Sequence, residues 1–167
     1  MNAPAARPRR LLRWLAEAFV ILLVAAGLQF WATRDAAEGP APPLEGAWVN
    51  APPPGAEGRA SLVHFWATWC PSCRLEHGTI ERLAEEHPVV TVAMQSGDAA
   101  EVAAYLQERG LSFPVRLDER GEVAARWGVR GVPTTFVVDG DGQIRFVTSG
   151  FTTDVGLRLR LWLAART

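Results

Sequence analysis

Ser61-Leu-Val-His-Phe-Trp-Ala-Thr-Trp-Cys-Pro-Ser-Cys-Arg-Leu-Glu76 is the stretch on which the reading of this chain turns. Leu62 to Trp66 is a run of β-favouring apolar residues, which predicts a buried strand. The run ends at Ala67-Thr68-Trp69, and Cys70-Pro71-Ser72-Cys73 then opens a helix. Pro71 suits the first helical position, where its missing N–H is no loss. The chain holds only these two cysteines, so any disulfide they form is with each other or with a substrate. A sulfur at a helix mouth faces unpaired amide hydrogens and the positive end of the helix dipole. Thiol pKa values in such motifs fall to about 3.5–7.5, against about 8.5 for a free thiol. Cys70 therefore reads as the nucleophile, and Cys73, one turn further in, as the group that resolves a mixed disulfide.

Two other uses of the cysteines compete with this one. An inert structural disulfide is disfavoured, because so small a ring constrains little of the unfolded chain. A Cu(I) site is the other, since His77 lies one turn beyond Cys73 and nearly above Cys70 on the helical wheel. Zinc would need four ligands, and the chain has no second closed pair. Redox chemistry is favoured, with no metal ligands assigned.

The elements flanking this stretch alternate. A strand at about 61–67 and a helix at about 71–86 are followed by Val89–Met94, a second buried strand. Asp98 then caps a helix running to Arg109, with Gly110 closing it. An extended piece at 113–117, a small helix around Glu122–Trp127 and a strand at Thr134–Val138 come next. Asp139-Gly-Asp-Gly142 reads as a hairpin turn leading into Gln143–Thr148, and a last helix covers about 153–165. The βαβα part calls for parallel strands and the hairpin adds an antiparallel pair. The expected fold class is α/β, a mixed central sheet flanked by helices.

Upstream the composition changes. Arg7, Arg9, Arg10 and Arg13 precede the first acid, Glu17, so of the net −1 charge residues 14–167 carry −5. An acidic main body argues against nucleic acid as a partner. Every basic residue is arginine, which excludes lysine-based mechanisms. Leu15 to Trp31 is apolar except for Glu17 and Gln29, at the short end of what spans about 30 Å of hydrocarbon. Trp14 and Phe30-Trp31 stand where aromatic residues anchor at headgroups, and the leading arginines place the N-terminus in the cytoplasm. A cleaved signal peptide, with Ala25-Ala26-Gly27 as cleavage site, is the competing reading, although the apolar run continues beyond it. Either reading exports the domain. The expected organisation is a basic cytoplasmic head at 1–13, a transmembrane helix at 14–32, a Pro/Gly-rich semi-extended linker at 33–58 and a globular domain at 59–167. Leu44 and Trp48-Val49 interrupt that linker as possible docking points.

Trp66-Ala-Thr-Trp-Cys-Pro-Ser-Cys73 with Gly131-Val-Pro-Thr-Thr-Phe136 resembles the thioredoxin superfamily. More narrowly, it is similar to the membrane-anchored bacterial thiol–disulfide oxidoreductases, including the cytochrome c maturation thioredoxins. Ala93–Asp98 and Thr148–Trp162 are similar to suppressor-of-copper-sensitivity thioredoxin-like proteins. The resemblance covers roughly residues 59–166 and implies a thioredoxin fold. It implies a cis Val132–Pro133 bond facing the disulfide, with Trp69, Pro71, Val132 and Pro133 forming the substrate-binding surface for an extended segment. Glu76 matches the position of a glutamate that would relay protons to Cys73. The implied activity is disulfide exchange on exported proteins, in the reducing direction, without a cofactor beyond the Cys70–Cys73 pair. The implied partners are exported thiol or disulfide proteins and a membrane carrier of electrons, at the bacterial inner membrane with the domain in the periplasm. Two residues depart from the family pattern. His64 stands where thioredoxins proper hold a buried aspartate, and reads as a satisfied core residue or as a proton acceptor for Cys73. Gly78 replaces a helix-kinking proline.

Overall fold

The computed structural model describes residues 7–50, 55–56 and 58–167, and the side chains from residue 12 onward within that set. The head before Arg7 and Pro52-Pro53-Pro54 of the expected linker lie outside the described residues. The chain divides at Arg34 into two units.

The first unit is the helix α1, Arg7–Thr33. Its segment Leu12–Thr33, 22 residues, contains an 18-residue window of mean hydropathy 1.9 and is long and apolar enough to cross a membrane.

The second unit is built on a seven-stranded sheet. Its strands are β1 (Gly39–Pro40), β2 (Trp48–Val49), β3 (Ser61–Trp66), β4 (Val89–Met94), β5 (Val115–Asp118), β6 (Thr134–Val138) and β7 (Gln143–Ser149). They lie in the order β1-β7-β6-β3-β4-β5-β2. β3, β4 and β5 are parallel, while β6 and β7 run antiparallel to their neighbours. Central β3 is buried along its whole length, which is why its sequence is apolar on both faces and not alternating.

Successive β3 side chains enter opposite cores, as the two-residue period requires. Leu62 and Trp66 join Ile80 and Leu83 of helix α2 (Pro71–Glu86), Val102 and Leu106 of α3 (Ala99–Arg109), and Leu157 and Leu161 of α5 (Asp154–Ala164). Val63 and Phe65 join Val123 of the short α4 (Glu122–Arg126), Trp127 and Phe136 on the other face. Phe136 meets Phe65 and Trp127 edge to face and Phe65 and Trp127 are tilted to each other, with centroids 4.8–5.7 Å apart. Asp98 forms a full capping box with Glu101, and Gly110 closes α3 at φ 63°. Asp118 caps α4 by accepting from the Val123 and Ala124 amides at 2.9 Å. These elements agree with the spacing of apolar residues and caps in the sequence.

In the segment expected as a semi-extended linker, 33–58, the possible docking points Leu44 and Trp48-Val49 do meet the domain, and the contacts extend well beyond them. The part from Asp35 to Asn50 is a strap docked on the domain. Asp35 pairs with Arg130, and Ala37 N–H donates to the Trp127 carbonyl at 2.9 Å. The strap then supplies both edges of the sheet, β1 against β7 and β2 against β5. Ala36, Ala41 and Leu44 pack on the Phe65–Trp127–Phe136 core between those two edges. Pro40 is tolerated because an edge strand has one side that needs no donor. Asn50 closes the strap by donating its side-chain amide to the Ser112 and Phe113 carbonyls. Composition rich in proline and glycine excludes a core of its own, but not pairing with an edge already formed.

Candidate active site

The parallel strands end at one rim, and the reactive stretch is fixed there by backbone contacts. Thr68 N–H donates to Ser96 Oγ at 3.0 Å, and Ser96 Oγ donates back to the Met94 carbonyl. Trp69 Nε1 donates to the Gln95 carbonyl at 3.0 Å. The loop between β3 and α2 is thus stitched to the end of β4, and Cys70 emerges as the N-cap of α2.

Cys70 and Cys73 are joined in a disulfide, with Cα atoms 5.4 Å apart. Cys70 Sγ accepts the Cys73 amide at 3.1 Å and lies 3.3 Å from Ser72 Oγ. Pro71 occupies the first helical turn, so the free donors there belong to residues that face the sulfur. Cys73 is wholly buried, whereas Cys70 keeps a sliver of exposure beside exposed Pro71 and Trp69. Access is therefore to Cys70 alone, as the sequence order of the two sulfurs suggests.

Across from the disulfide, the Val132 carbonyl oxygen is 3.6 Å from Cys70 Sγ, and the Val132–Pro133 bond is cis. The turn is held by Thr134 Oγ1 donating to the Gly131 carbonyl at 2.8 Å and by Gly150 N–H donating to the Pro133 carbonyl at 2.8 Å. The structure therefore brings together Trp69, Cys70, Pro71, Val132 and Pro133 at one rim.

Glu76 is on the same face of α2, one turn beyond Cys73, and is buried. Its Oε1 accepts the Thr152 amide at 2.5 Å, and its Oε2 has no hydrogen-bond partner. Burial pushes its pKa up to about 7, against the opposing pull of the Thr152 amide. A carboxyl tuned to neutral pH one turn from Cys73 is suited to holding or taking a proton.

The two buried histidines are arranged differently. His64, fully buried in β3, has Nδ1 2.9 Å from Thr135 Oγ1, and its Nε2 is unpartnered. Burial, reinforced by His77, lowers its pKa to about 3. His77 is packed in a box of Trp66, Tyr105 and Phe113, with ring centroids at 5.0, 5.9 and 5.9 Å. Burial, with Arg109 and Arg74 adding to it, lowers its pKa to about 4. Both rings are neutral at pH 7. Among the described residues no three His, Cys, Asp or Glu side chains converge as a metal would require. The Cu(I) reading is left with two sulfurs, its third ligand being walled in by aromatic rings.

Gly78 sits on the exposed side of an α2 that runs unbroken from Pro71 to Glu86, so the missing proline leaves the helix continuous. Thr152 and Thr135, the partners of Glu76 and His64, are site residues that sequence reasoning missed. Thr152 contributes a backbone amide, which leaves no trace in side-chain identity. Thr135 is recognisable only once β6 is known to lie beside β3, in register with His64.

Comparison with known proteins gives the family and the fold. The redoxin family profile matches residues 54–155. The thiol:disulfide interchange protein DsbE of Allochromatium vinosum is 44% identical over 90 residues, 53% of this chain and 50% of the relative. DsbE of Escherichia coli K12 is 30% identical over 163 residues, 86% of this chain and 85% of the relative. The first of these matches thus spans half of the relative's length, the second most of it. Among solved structures, StoA from Bacillus subtilis superposes with a TM-score of 0.56 at 25% identity, covering 72% of this chain and 99% of StoA.

Proposed function

We propose, from the premise that this chain is a member of the redoxin family, that it is a membrane-anchored thiol–disulfide oxidoreductase acting on exported proteins as a reductant. The observation that carries this reading is the placement of Cys70 Sγ. It accepts the Cys73 amide, lies beside the Ser72 hydroxyl, and faces the Val132 carbonyl across an open rim. Donors aimed at one sulfur favour its thiolate, and a neighbouring carbonyl gives an extended substrate a backbone group to pair with.

In the reduced form the Cys70 thiolate attacks one sulfur of a partner disulfide. A Cys70–partner bond forms, and the partner's other sulfur leaves as a thiolate. Cys73 then loses its proton and attacks Cys70 Sγ, closing the Cys70–Cys73 disulfide and releasing the second partner thiolate. The partner gains two electrons, which the chain's sulfurs lose; the chain gives up one thiol proton, that of Cys73, since Cys70 enters as a thiolate, and the two partner thiolates are protonated from solvent. Glu76 is the acceptor for the Cys73 proton: it is one turn away, buried, and titrates near neutrality. Trp69, Pro71, Val132 and Pro133 form the wall against which the partner segment lies. A dithiol carrier in the membrane returns the electrons.

The location has separate support. Leu12–Thr33 is long and apolar enough to span a bilayer. Arginines precede it and Asp35 and Glu38 follow it, a charge bias that supports an N-terminus inside and a catalytic domain in the periplasm. Replacing Cys73 with serine tests the exchange. Cys73→Ser is expected to accumulate Cys70-linked mixed disulfides with exported proteins, and a variant that traps none contradicts the reading.

A further inference from the structure

Helix α5 is apolar on two opposite sides. Leu157, Leu161 and Ala164 are buried in the core beneath it. Val155, Leu159 and Trp162 stand on the other side and are 76%, 55% and 53% exposed. A helix apolar all round is one that is covered all round, and a contiguous exposed apolar patch marks an interaction site. A single exposed leucine would need no such account. Here the residues form one stripe, and the stripe continues beyond the helix.

Its upper end adjoins residues that hold the cis-proline turn and Glu76. Phe151, exposed, lies between Gly150, which donates to the Pro133 carbonyl, and Thr152, which donates to Glu76. Leu75, also exposed, precedes Glu76 on α2. The two helices are joined by two ion pairs, Arg158 of α5 to Glu86 at the end of α2 and Arg82 of α2 to Asp154 of α5. Exposed apolar side chains thus follow the chain from the Pro133 turn through Phe151 onto α5, where Val155 to Trp162 covers about 10 Å at 1.5 Å per residue.

The track is edged by positive charge. The Arg166 guanidinium lies over the Trp162 ring at 3.2 Å, and Arg160 donates to the Gly156 carbonyl at 2.9 Å. Among the described residues neither meets a carboxylate in a salt bridge, whereas Arg158 meets two. The backbone groups along α5 are used within the helix, so strand addition has nothing to pair with on this face. Side-chain ridges spaced four and three residues apart fit the grooves of another helix.

We infer that the outward face of α5, with Phe151 and Leu75, is an exosite for an acid-edged amphipathic helix of the same protein whose disulfide is exchanged at Cys70. The inference rests on the exchange reaction proposed above. It adds to that reaction a recognition element outside the cysteine rim, which selects partners by what lies beside their reactive cysteine.

The test uses the full chain, reduced, in phosphatidylcholine nanodiscs, with two peptides that each carry one cysteine capped by glutathione. The first peptide is a flexible Gly–Ser sequence. In the second, the cysteine is followed by a helix of about 14 residues, roughly 20 Å long, with leucine on one face and glutamate along its edges. The helical peptide is expected to react about tenfold faster, on the order of 1.4 kcal/mol. Leu159→Glu and Trp162→Ser are each expected to bring the ratio of the two rates close to one. A lysine-edged helix is expected to lose most of the advantage. Equal rates in the parent protein overturn the exosite and leave the exchange reaction standing, whereas no reaction with either peptide overturns both. An advantage that survives both substitutions also overturns it, because the contacts then lie elsewhere. Equal peptide rates together with a dimerisation that Leu159→Glu abolishes would assign the face to a second copy of the chain instead.

Discussion

Replacing Glu76 with glutamine should change stability in a way that depends on pH, and the direction follows from burial. The folded pKa, about 7, is raised above the ordinary 4.5. Between those values the folded state holds a proton that the unfolded state has released. Stability from this group is therefore fully present below pH 4.5 and is lost as pH rises through 7. The difference of about 2.5 units, at about 1.36 kcal/mol each, amounts to about 3 kcal/mol by pH 9. Glutamine keeps an acceptor for the Thr152 amide and carries no titratable proton. Its own pH-independent offset, from placing an amide where Oε2 has no partner, drops out of the comparison between two pH values. Urea denaturation of the oxidised domain from Asp35 onward, followed by far-UV circular dichroism at pH 5 and pH 9, is the assay. Glu76→Gln should gain about 3 kcal/mol relative to the parent on going from the lower pH to the higher. A difference that stays within about 0.5 kcal/mol across that range would refute the assignment of Glu76 as a buried carboxyl tuned to neutrality.

The acid limb has the opposite sign. His64 and His77 have folded pKa values of about 3 and about 4, below the ordinary 6.5, so the stability they leave intact above pH 6.5 is lost as pH falls. His77→Phe fills the aromatic box without a titratable group and should flatten that limb by up to about 3 kcal/mol at pH 4, read from urea midpoints at pH 4 and 8. Glu81 accepts the Ser112 and Phe113 amides and holds the chain that enters β5. Glu81→Ala should cost about 1–2 kcal/mol in the same measurement at pH 7. Gly128 has φ 65°, and a Cβ there would collide with the Asp35 carbonyl. Gly128→Ala should release the start of the strap and cost about 1–3 kcal/mol. Faster hydrogen exchange at the Ala37 amide, which donates to Trp127, would report that release.

The parts of this fold that were legible beforehand are those whose signal is local. The Leu62–Trp66 run, the Asp98 cap, Gly110 after α3 and the Asp139–Gly142 turn each constrain their own neighbourhood, and each stands where the sequence puts it. Cys70 and Cys73 at a helix mouth were legible for the same reason. Val132 and Pro133 entered only through family resemblance, because nothing in their own residues says that they face a disulfide sixty positions upstream. Leu44 and Trp48-Val49 signal docking by their apolar side chains, whereas the pairing of Gly39-Pro40 leaves no signal, because a two-residue edge strand carries no periodicity and is as acceptable in a linker. The surroundings of His64 and His77 depend on which strands and helices become neighbours. Local sequence contains the histidines but neither the burial that keeps them neutral nor the Thr135 hydroxyl and the three aromatic rings that surround them.

The account depends most on Cys70 being the attacking sulfur of a reducing pair. A redox titration of the Cys70–Cys73 couple against glutathione and dithiothreitol buffers, read by thiol alkylation, tests that directly. The account predicts a two-electron potential close to that of reducing thioredoxins, about −270 mV. A value near about −120 mV, that of a strong disulfide donor, would contradict the reducing direction.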